Sequence, residues 1–421
     1  MIRKIAENFL YHIWDEQHLK EKLQTDDGRR LKILYQGRWN TEAGPDFENA
    51  IVLLEDEKLH GSIEIHKTTY DWHAHGHDED PLYNKVILHV VFQNSSNSKY
   101  TITESGEKIP VLSLMNNLDK SIEKLWQKYG EKPFDTSQKA TITCLLENSS
   151  LTQSEMEDIL LNLGKKRFRR KCKRFSAALY SSDFSQILYE GILEALGYAK
   201  NKSAFLQMAK NLPYQKLQSL ATFCDDPDDL FAIFIIASGL DFQRFKFDFF
   251  TKDLYERIDK ITPVIKPYLE DKAVEQSAWI FFRIRPLNHP VTRMWQISPF
   301  LFSTFETSLI NKVLNIFSVP EGTLLTPAEV QKSFYSLITQ ETEEKNRAIG
   351  HSRADDILAN IVFPVCYVYA KTLGYDSLTH TIEHIYLSSP KLAENYITRF
   401  VQARLKNKLR QKKINLPIQQ G

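Results

Sequence analysis

The chain has 421 residues, 42% of them hydrophobic, and a formal net charge of +1. That apolar share excludes a disordered chain and supports two or three domain cores, while the near-zero charge singles out no partner class. Four widely spaced cysteines (Cys144, Cys172, Cys224 and Cys366) form no CxxC pair, which excludes a cysteine-built zinc knuckle and a disulfide framework. The N-terminus is charged where a signal peptide needs its apolar run. No apolar run reaches the length of a membrane span. The expectation is a cytoplasmic protein that makes no use of a membrane.

In chain order, Ile5, Phe9, Leu10, Ile13 and Leu19 predict a helix over residues 2–22. Asp26-Asp27-Gly28 breaks it. Strand alternation follows over Leu31–Gln36, Phe47–Leu54 and Lys58–His66, with Glu55-Asp56-Glu57 as the turn between the last two. Lys85–Gln93 and Ile109–Leu114 predict two more strands after an irregular or short helical link. Beyond about residue 115 the periodicity becomes helical. Helices are expected over Leu118–Tyr129, Thr152–Ser181, Ser185–Leu196, Asp228–Ala237, Leu254–Leu269, Leu301–Phe317, Ala328–Ile338 and Asp355–Thr372. A basic helix over Leu392–Lys413 and a tail from Ile414 close the chain. The fold class is α+β: an α-β-β-β-α-β unit over residues 1–115 and a larger all-α region over 116–421. Residues 1–114 hold 13 Lys/Arg against 19 Asp/Glu, and the remainder 41 against 34. An acidic unit joined to a basic one fits a metal site beside a polyanion-binding surface.

The third predicted strand carries the most information. Side chains alternate across a strand, so Leu59, Gly61, Ile63 and Ile65 share one face and His60, Ser62, Glu64 and His66 the other. A lone buried carboxylate is costly, so Glu64 needs a partner. Asp46, which opens the preceding strand after Gly44-Pro45, is the best placed. Two carboxylates on adjacent strands suit Mg²⁺ or Mn²⁺, which accept oxygen ligands and keep several waters.

Asp46, Glu64 and His66 resemble the PD-(D/E)xK signature of restriction-endonuclease-like phosphodiesterases. The α-β-β-β-α-β order resembles that core over residues 1–114. The resemblance implies Asp46 and Glu64 as metal ligands, Glu7 on the first helix as a third carboxylate, and His66 as the residue that handles the attacking water. His66 departs from the family, which usually carries Lys there; Lys67 points to the opposite face of a regular strand. Gly44-Pro45-Asp46, Asp71–His77, Tyr83–Val91, Arg283-Ile284-Arg285-Pro286 and Arg353–Ile357 also resemble an uncharacterised bacterial family over nearly the whole chain, which implies placement and no activity.

Six of the twelve histidines lie within residues 60–89: His60, His66, His73, His75, His77 and His89. His73, His75 and His77 can form a zinc loop, contact substrate beside Asp46 and Glu64, or fix the loop by local hydrogen bonds. Asp71, Trp72 and Tyr83 read as anchors, and His89 as core or site. Lys165–Arg174 has eight basic residues in ten. Leu161, Phe168, Cys172, Phe175 and Leu179 form its apolar stripe, leaving Lys166, Arg169 and Arg170 on a cationic face suited to phosphates. Arg283 and Arg285, with Arg293 nearby, fall in a segment where Pro286 and Pro290 stop a regular helix. A constrained loop there suits phosphate contacts or interdomain ion pairs. Arg353-Ala354-Asp355-Asp356 reads as a helix start. The expected function is a divalent-metal-dependent nuclease acting on DNA or RNA. The alternatives are a catalytically inactive nucleic-acid or protein-binding module on the same fold, and a zinc hydrolase using His73, His75 and His77.

Overall fold

The computed structural model describes residues 5–40, 43–130, 134, 152–198, 200–241, 244–247, 249, 251–269, 272–318, 325–340, 347–390 and 392. The chain divides into two units whose main stretches are Met1–Gln153 and Ser154–Glu394. Cys144 and the closing helix and tail expected over 393–421 lie outside the described residues.

In the first unit, helix α1 (Glu7–Asp15) buries Phe9, Leu10, Ile13 and Trp14. These are adjacent positions on one face of a 3.6-residue repeat. The helix is shorter than its expected span. Gln17 adopts a left-handed φ of 55°, and Leu19 then pairs as a β-bridge with Leu118. Strands β1 (Leu23–Gln24), β2 (Arg30–Tyr35), β3 (Arg38–Trp39), β4 (Phe47–Leu54), β5 (Glu57–Thr68), β6 (Val86–Gln93), β7 (Tyr100–Ile102) and β8 (Lys108–Ser113) form a mixed sheet in the order β1-β2-β4-β5-β6-β8-β7, with β3 on β4. The five longer strands fall where alternation predicts them. β1, β3 and β7 are too short to show a period.

Strands β2, β4 and β5 form an antiparallel meander, while β5, β6 and β8 run parallel. A parallel pair needs a crossover, and residues 69–85 supply it through the short helix α2 (Asp71–Ala74) and a 3₁₀ turn at Pro81–Lys85. One sheet face packs α1 against Phe47, Ala50, Val52, Ile63, Ile65, Leu88 and Val90. Each such buried side chain contributes about 1.5–3 kcal/mol. Trp72, Tyr83, Val86 and Ile109 form a separate apolar cluster. Helices α3 (Leu114–Asn117) and α4 (Ile122–Tyr129) follow β8, and α4 returns to α1 through an edge-on contact of Trp126 with Phe9.

The β4–β5 register has one irregularity. Phe47 pairs with Ile63, yet Ala50 pairs with Gly61. One extra residue therefore lies in β4 at Glu48–Asn49, the count of a β-bulge. Asn49 takes a left-handed φ of 56°. Gly37, at φ 92°, makes room beside it: a Cβ there would stand 2.9 Å from the Glu48 carbonyl oxygen.

The second unit is helical. Its helices are α5 (Gln153–Ala178), α6 (Phe184–Leu196), α7 (Lys202–Asn211), α8 (Tyr214–Leu220), α9 (Pro227–Ala237), α10 (Lys252–Leu269), α11 (Pro290–Phe302), α12 (Leu309–Leu314), α13 (Pro327–Thr339), α14 (His351–Ile357), α15 (Phe363–Thr372) and α16 (Asp376–Ser388). Nearly every residue of α9 from Asp229 to Ala237 is buried, so it is a central helix. Its N-terminus is capped by Asp226. A π-helical turn at Leu358–Val362 joins α14 to α15. The helix expected over Leu301–Phe317 is broken by turns after Phe302. The proline at position 290 starts α11 instead of stopping a helix: at the first helical position its missing N–H costs nothing. Among the described residues, no helix is long and apolar enough to cross a membrane.

His289 caps α11: its Nδ1 accepts the Val291 N–H at 3.3 Å, and its ring packs among Phe245, Phe247 and Phe281. Burial pushes its pKa down to about 4.

Two outcomes follow from these features. Asn49→Val places a β-branched residue in left-handed backbone and should destabilise the sheet unit by about 1–2 kcal/mol, with Asn49→Gly near neutral; denaturant midpoints followed by tryptophan fluorescence check this. The folded pKa of His289 lies below its ordinary value, so its contribution is present above about pH 6.5 and is lost as pH falls through about 4. His289→Asn keeps a cap acceptor that does not titrate, and should shrink the fall in Tm between pH 7 and pH 4.

Candidate functional site

The bulge determines where Asp46 stands. Continuing the Phe47–Ile63 register sets Asp46 opposite Glu64, so their side chains share a face. Without the extra residue Asp46 would oppose Ile65, whose side chain lies in the α1-covered core. The carboxylates are held reciprocally. Glu64 Oε2 accepts the Asp46 N–H at 3.0 Å, and Asp46 Oδ2 accepts the Ile65 N–H at 2.9 Å. Glu64 and His66 are 5% and 1% exposed. Both faces of β5 are therefore buried at this point.

The crossover supplies the cover. Asp71 Oδ2 accepts from the Thr68 N–H at 2.8 Å, and the Trp72 indole donates to the Ile102 carbonyl at 2.9 Å. Asp71 and Trp72 thus anchor the loop. His75 and His77 follow. The Tyr83 ring stacks on His77 with centroids 3.7 Å apart. Asp80 caps the 3₁₀ turn through the Leu82 N–H. His73 does not join this group. Its Nδ1 pairs with Asp78 at 2.7 Å on the loop's exposed side, which corrects its expected place in a zinc loop.

His66, His75 and His77 instead converge, with ligand-capable nitrogens within 4.8 Å of one another. Glu64 Oε1 lies 3.3 Å from both His66 Nε2 and His77 Nε2. His75 Nδ1 lies 3.1 Å from His66 Nε2. On its other side, His66 Nδ1 is 2.9 Å from His89 Nε2. The contact of His77 Nε2 with Glu64 lacks hydrogen-bond alignment, leaving that buried nitrogen unbonded.

Burial dictates the charge states. It holds His66 down to about 3, and lowers His77 and His89. These imidazoles are neutral at neutral pH, so their contacts with Glu64 are not ion pairs. The same burial drives Asp46 and Glu64 well above the ordinary carboxylate range, and Glu64 adds like-charge repulsion to Asp46. The Tyr11 hydroxyl faces Asp46 and partly offsets this rise. Glu7, half-buried at the start of α1, is raised by burial and held back by Lys67 and His75. Lys67 is exposed, yet within electrostatic reach of Glu7 and His66.

Neutral imidazoles beside buried carboxylates are what a divalent cation requires of its ligands. Ligand spacing differs between ions. Tetrahedral ligands at about 2.0–2.1 Å from zinc stand about 3.3–3.4 Å apart; adjacent ligands of octahedral magnesium stand about 2.9 Å apart. The Glu64–His66 and Glu64–His77 separations of 3.3 Å fit the first figure. Glu64, His66, His75 and His77 can hold such an ion, with His89 orienting His66 from behind. Tyr11 was missed from the sequence although it lies four residues after Glu7, on the same face of α1.

The helical unit's expected phosphate contacts fare differently. Arg169 forms a forked ion pair with Glu383 at 2.9–3.2 Å. Lys171 donates to Asn360 Oδ1 at 2.5 Å, and Arg174 pairs with Glu194. Lys166 and Arg170 have partners too. Phe168, Cys172 and Phe175 are buried as the stripe predicts, whereas Leu161 is 36% exposed. Arg283 and Arg285 do lie on a loop. Arg293 does not: it is buried within α11.

The family described as "Protein of unknown function (DUF2851)" matches residues 7–396, and the chain belongs to it. No curated protein and no solved structure matches the chain.

A cation-holding role for the cluster separates neighbouring histidines. His77→Ala should lower zinc affinity by more than the roughly 10–100-fold typical of an outer-shell loss, and His89→Ala by about that amount. His73→Ala should leave affinity within about twofold. Competition against a chromogenic chelator measures all three; equal effects of His73→Ala and His77→Ala would remove the cluster from consideration.

Proposed function

We propose that this chain is a metal-dependent phosphodiesterase acting on nucleic acid, with a zinc- or manganese-type ion held by Glu64, His66, His75 and His77. The observation that carries this reading is the convergence of His66, His75 and His77, with His66 and His77 each 3.3 Å from the buried Glu64 carboxylate. Magnesium, the ion suggested by the carboxylate pair alone, is a poorer fit to so many nitrogen donors. The meander with a parallel fourth strand, and the placement of Asp46 and Glu64 on its middle strands, support the likeness to the PD-(D/E)xK phosphodiesterases.

A divalent cation in this setting supplies polarisation of a phosphoryl oxygen and a more acidic water. The chain's own residues do the rest. His66 is a ligand and not the base, because its Nε2 faces Glu64 and its Nδ1 faces His89. Asp46 takes the proton-transfer role. Its Oδ2 is held by the Ile65 N–H, and its carboxylate, ionised beside a bound cation, accepts the proton of the attacking water. Glu7 and Lys67 at the margin of the site orient the substrate's phosphate and water through charge.

Incubation of the protein with single- and double-stranded DNA and with RNA, in Mg²⁺, Mn²⁺ or Zn²⁺, tests this reading. Cleavage is expected with Mn²⁺ or Zn²⁺, and Asp46→Ala should lower its rate by roughly 10²–10⁴-fold while zinc binding is retained. Zinc binding without cleavage in any metal would instead favour a binding module.

A further inference from the structure

A second feature lies wholly within the helical unit. The loop between α10 and α11 is pinned to the segment after α6. Asn201, 2% exposed, donates to the Ile280 carbonyl at 2.9 Å and accepts the Ile280 N–H at 2.8 Å. Lys200 donates to the Phe282 carbonyl at 2.6 Å. This fixed frame turns apolar side chains outward: Phe282 is 70% exposed and Tyr198 49%. Single exposed rings are ordinary, but here each carries a cation. The Arg283 guanidinium lies 5.0 Å from the Phe282 ring, and the Arg353 guanidinium 3.9 Å from the Tyr198 ring.

Behind the rings sit two buried arginines. Arg293 is 6% exposed and Arg353 8%. Arg293 donates only to amide oxygens, Gln296 Oε1 at 2.9 Å and Asn288 Oδ1 at 2.6 Å, and its Nε is unbonded. Gln296 in turn donates to Ala348, on the strand of chain that leads into Arg353. The two guanidiniums are close enough that Arg353 repels charge on Arg293. Arg353 has a carboxylate neighbour in Asp356 at 3.3 Å; among the described residues Arg293 has none. Arg283 and Arg285 also form no ion pair among the described residues, and Arg283 is held in left-handed backbone at φ 55°.

A buried guanidinium without a counter-anion is costly, and Arg293 has no carboxylate partner among the described residues, nor do Arg283 beside the Phe282 ring and Arg285 two residues on. We infer that the Tyr198–Phe282 patch, with Arg283, Arg285, Arg293 and Arg353, binds single-stranded nucleic acid. The rings stack on unpaired bases, the exposed Arg283 and Arg285 take the phosphates, and the buried Arg293 and Arg353 add positive potential from behind. A duplex keeps its bases stacked on each other and cannot use the rings. This binding goes beyond the proposed cleavage and needs no metal, since every residue in it belongs to the helical unit.

The test uses the full-length chain in EDTA and a fluorescein-labelled, twenty-nucleotide oligo-dT, read by anisotropy over a range of salt. The single strand should bind more tightly than a duplex of equal length. Phe282→Ala and Tyr198→Ala, both exposed positions, should each weaken binding by at least about fivefold. The double variant Arg283→Gln/Arg285→Gln should lower the slope of log K against log salt by about 1.4. Absence of binding, indifference to the ring and arginine substitutions, or equal competition by polyglutamate would overturn the inference.

Discussion

One extra residue in β4 governs the rest of the candidate site. A strand's side chains alternate, so a register change of one residue moves a side chain to the other face. The bulge at Glu48–Asn49 makes that change between Ala50 and Phe47. It lets β4 pair in one register with its apolar residues toward α1 and in another where Asp46 faces Glu64. The left-handed φ of Asn49 and the side-chain-free Gly37 beside it make the bulge sterically feasible. The reciprocal bonds from the Asp46 and Ile65 amides to the two carboxylates then lock the result.

The rest of the site's electrostatics comes from burying that pair. The crossover after β5, anchored by Asp71 and Trp72, closes over Glu64, bringing His77 against it and His75 against His66. The same removal of water that raises the carboxylates depresses the imidazoles. Both shifts oppose charge, so neither group can satisfy the other as an ion pair. A cation reverses the balance by favouring ionised carboxylates and using the imidazole lone pairs. On the proposed reading, a cluster organised in this way trades stability in the ion-free chain for affinity, and His66 serves as a donor to an ion where the phosphodiesterase signature has a fixed positive charge.

In the helical unit, charge density in the sequence and charge available to a partner diverge. Lys165–Arg174 is the most basic stretch, yet Arg169, Lys171 and Arg174 bond to Glu383, Asn360 and Glu194. They hold α5 to its neighbours. The less conspicuous Arg283 and Arg285 remain outward because their loop is tied down by backbone contacts with Asn201 and Lys200 and leaves their guanidiniums uncommitted. Prolines 286 and 290 give that loop a short 3₁₀ turn and an abrupt helix start.

The sequence by itself determined the elements that are long enough to repeat. The alternation over residues 58–66 and the apolar spacing of Phe9, Leu10 and Ile13 follow from local backbone geometry, which side-chain polarity records directly. It also pointed to Asp46, Glu64 and His66 as a group, and these come together in the fold, because polar residues on a strand face need partners. The tertiary structure alone decided which groups meet. His75 and His77 join His66 while His73 turns to Asp78, although the three share one loop. His89 becomes a second-layer partner through the parallel β5–β6 pairing. Arg293 and Arg353, sixty residues apart in the chain, share an electrostatic neighbourhood. The physical reason is the same in each case. Periodicity is a property of neighbouring residues, whereas register, burial and desolvation depend on segments that come together only when the chain has folded.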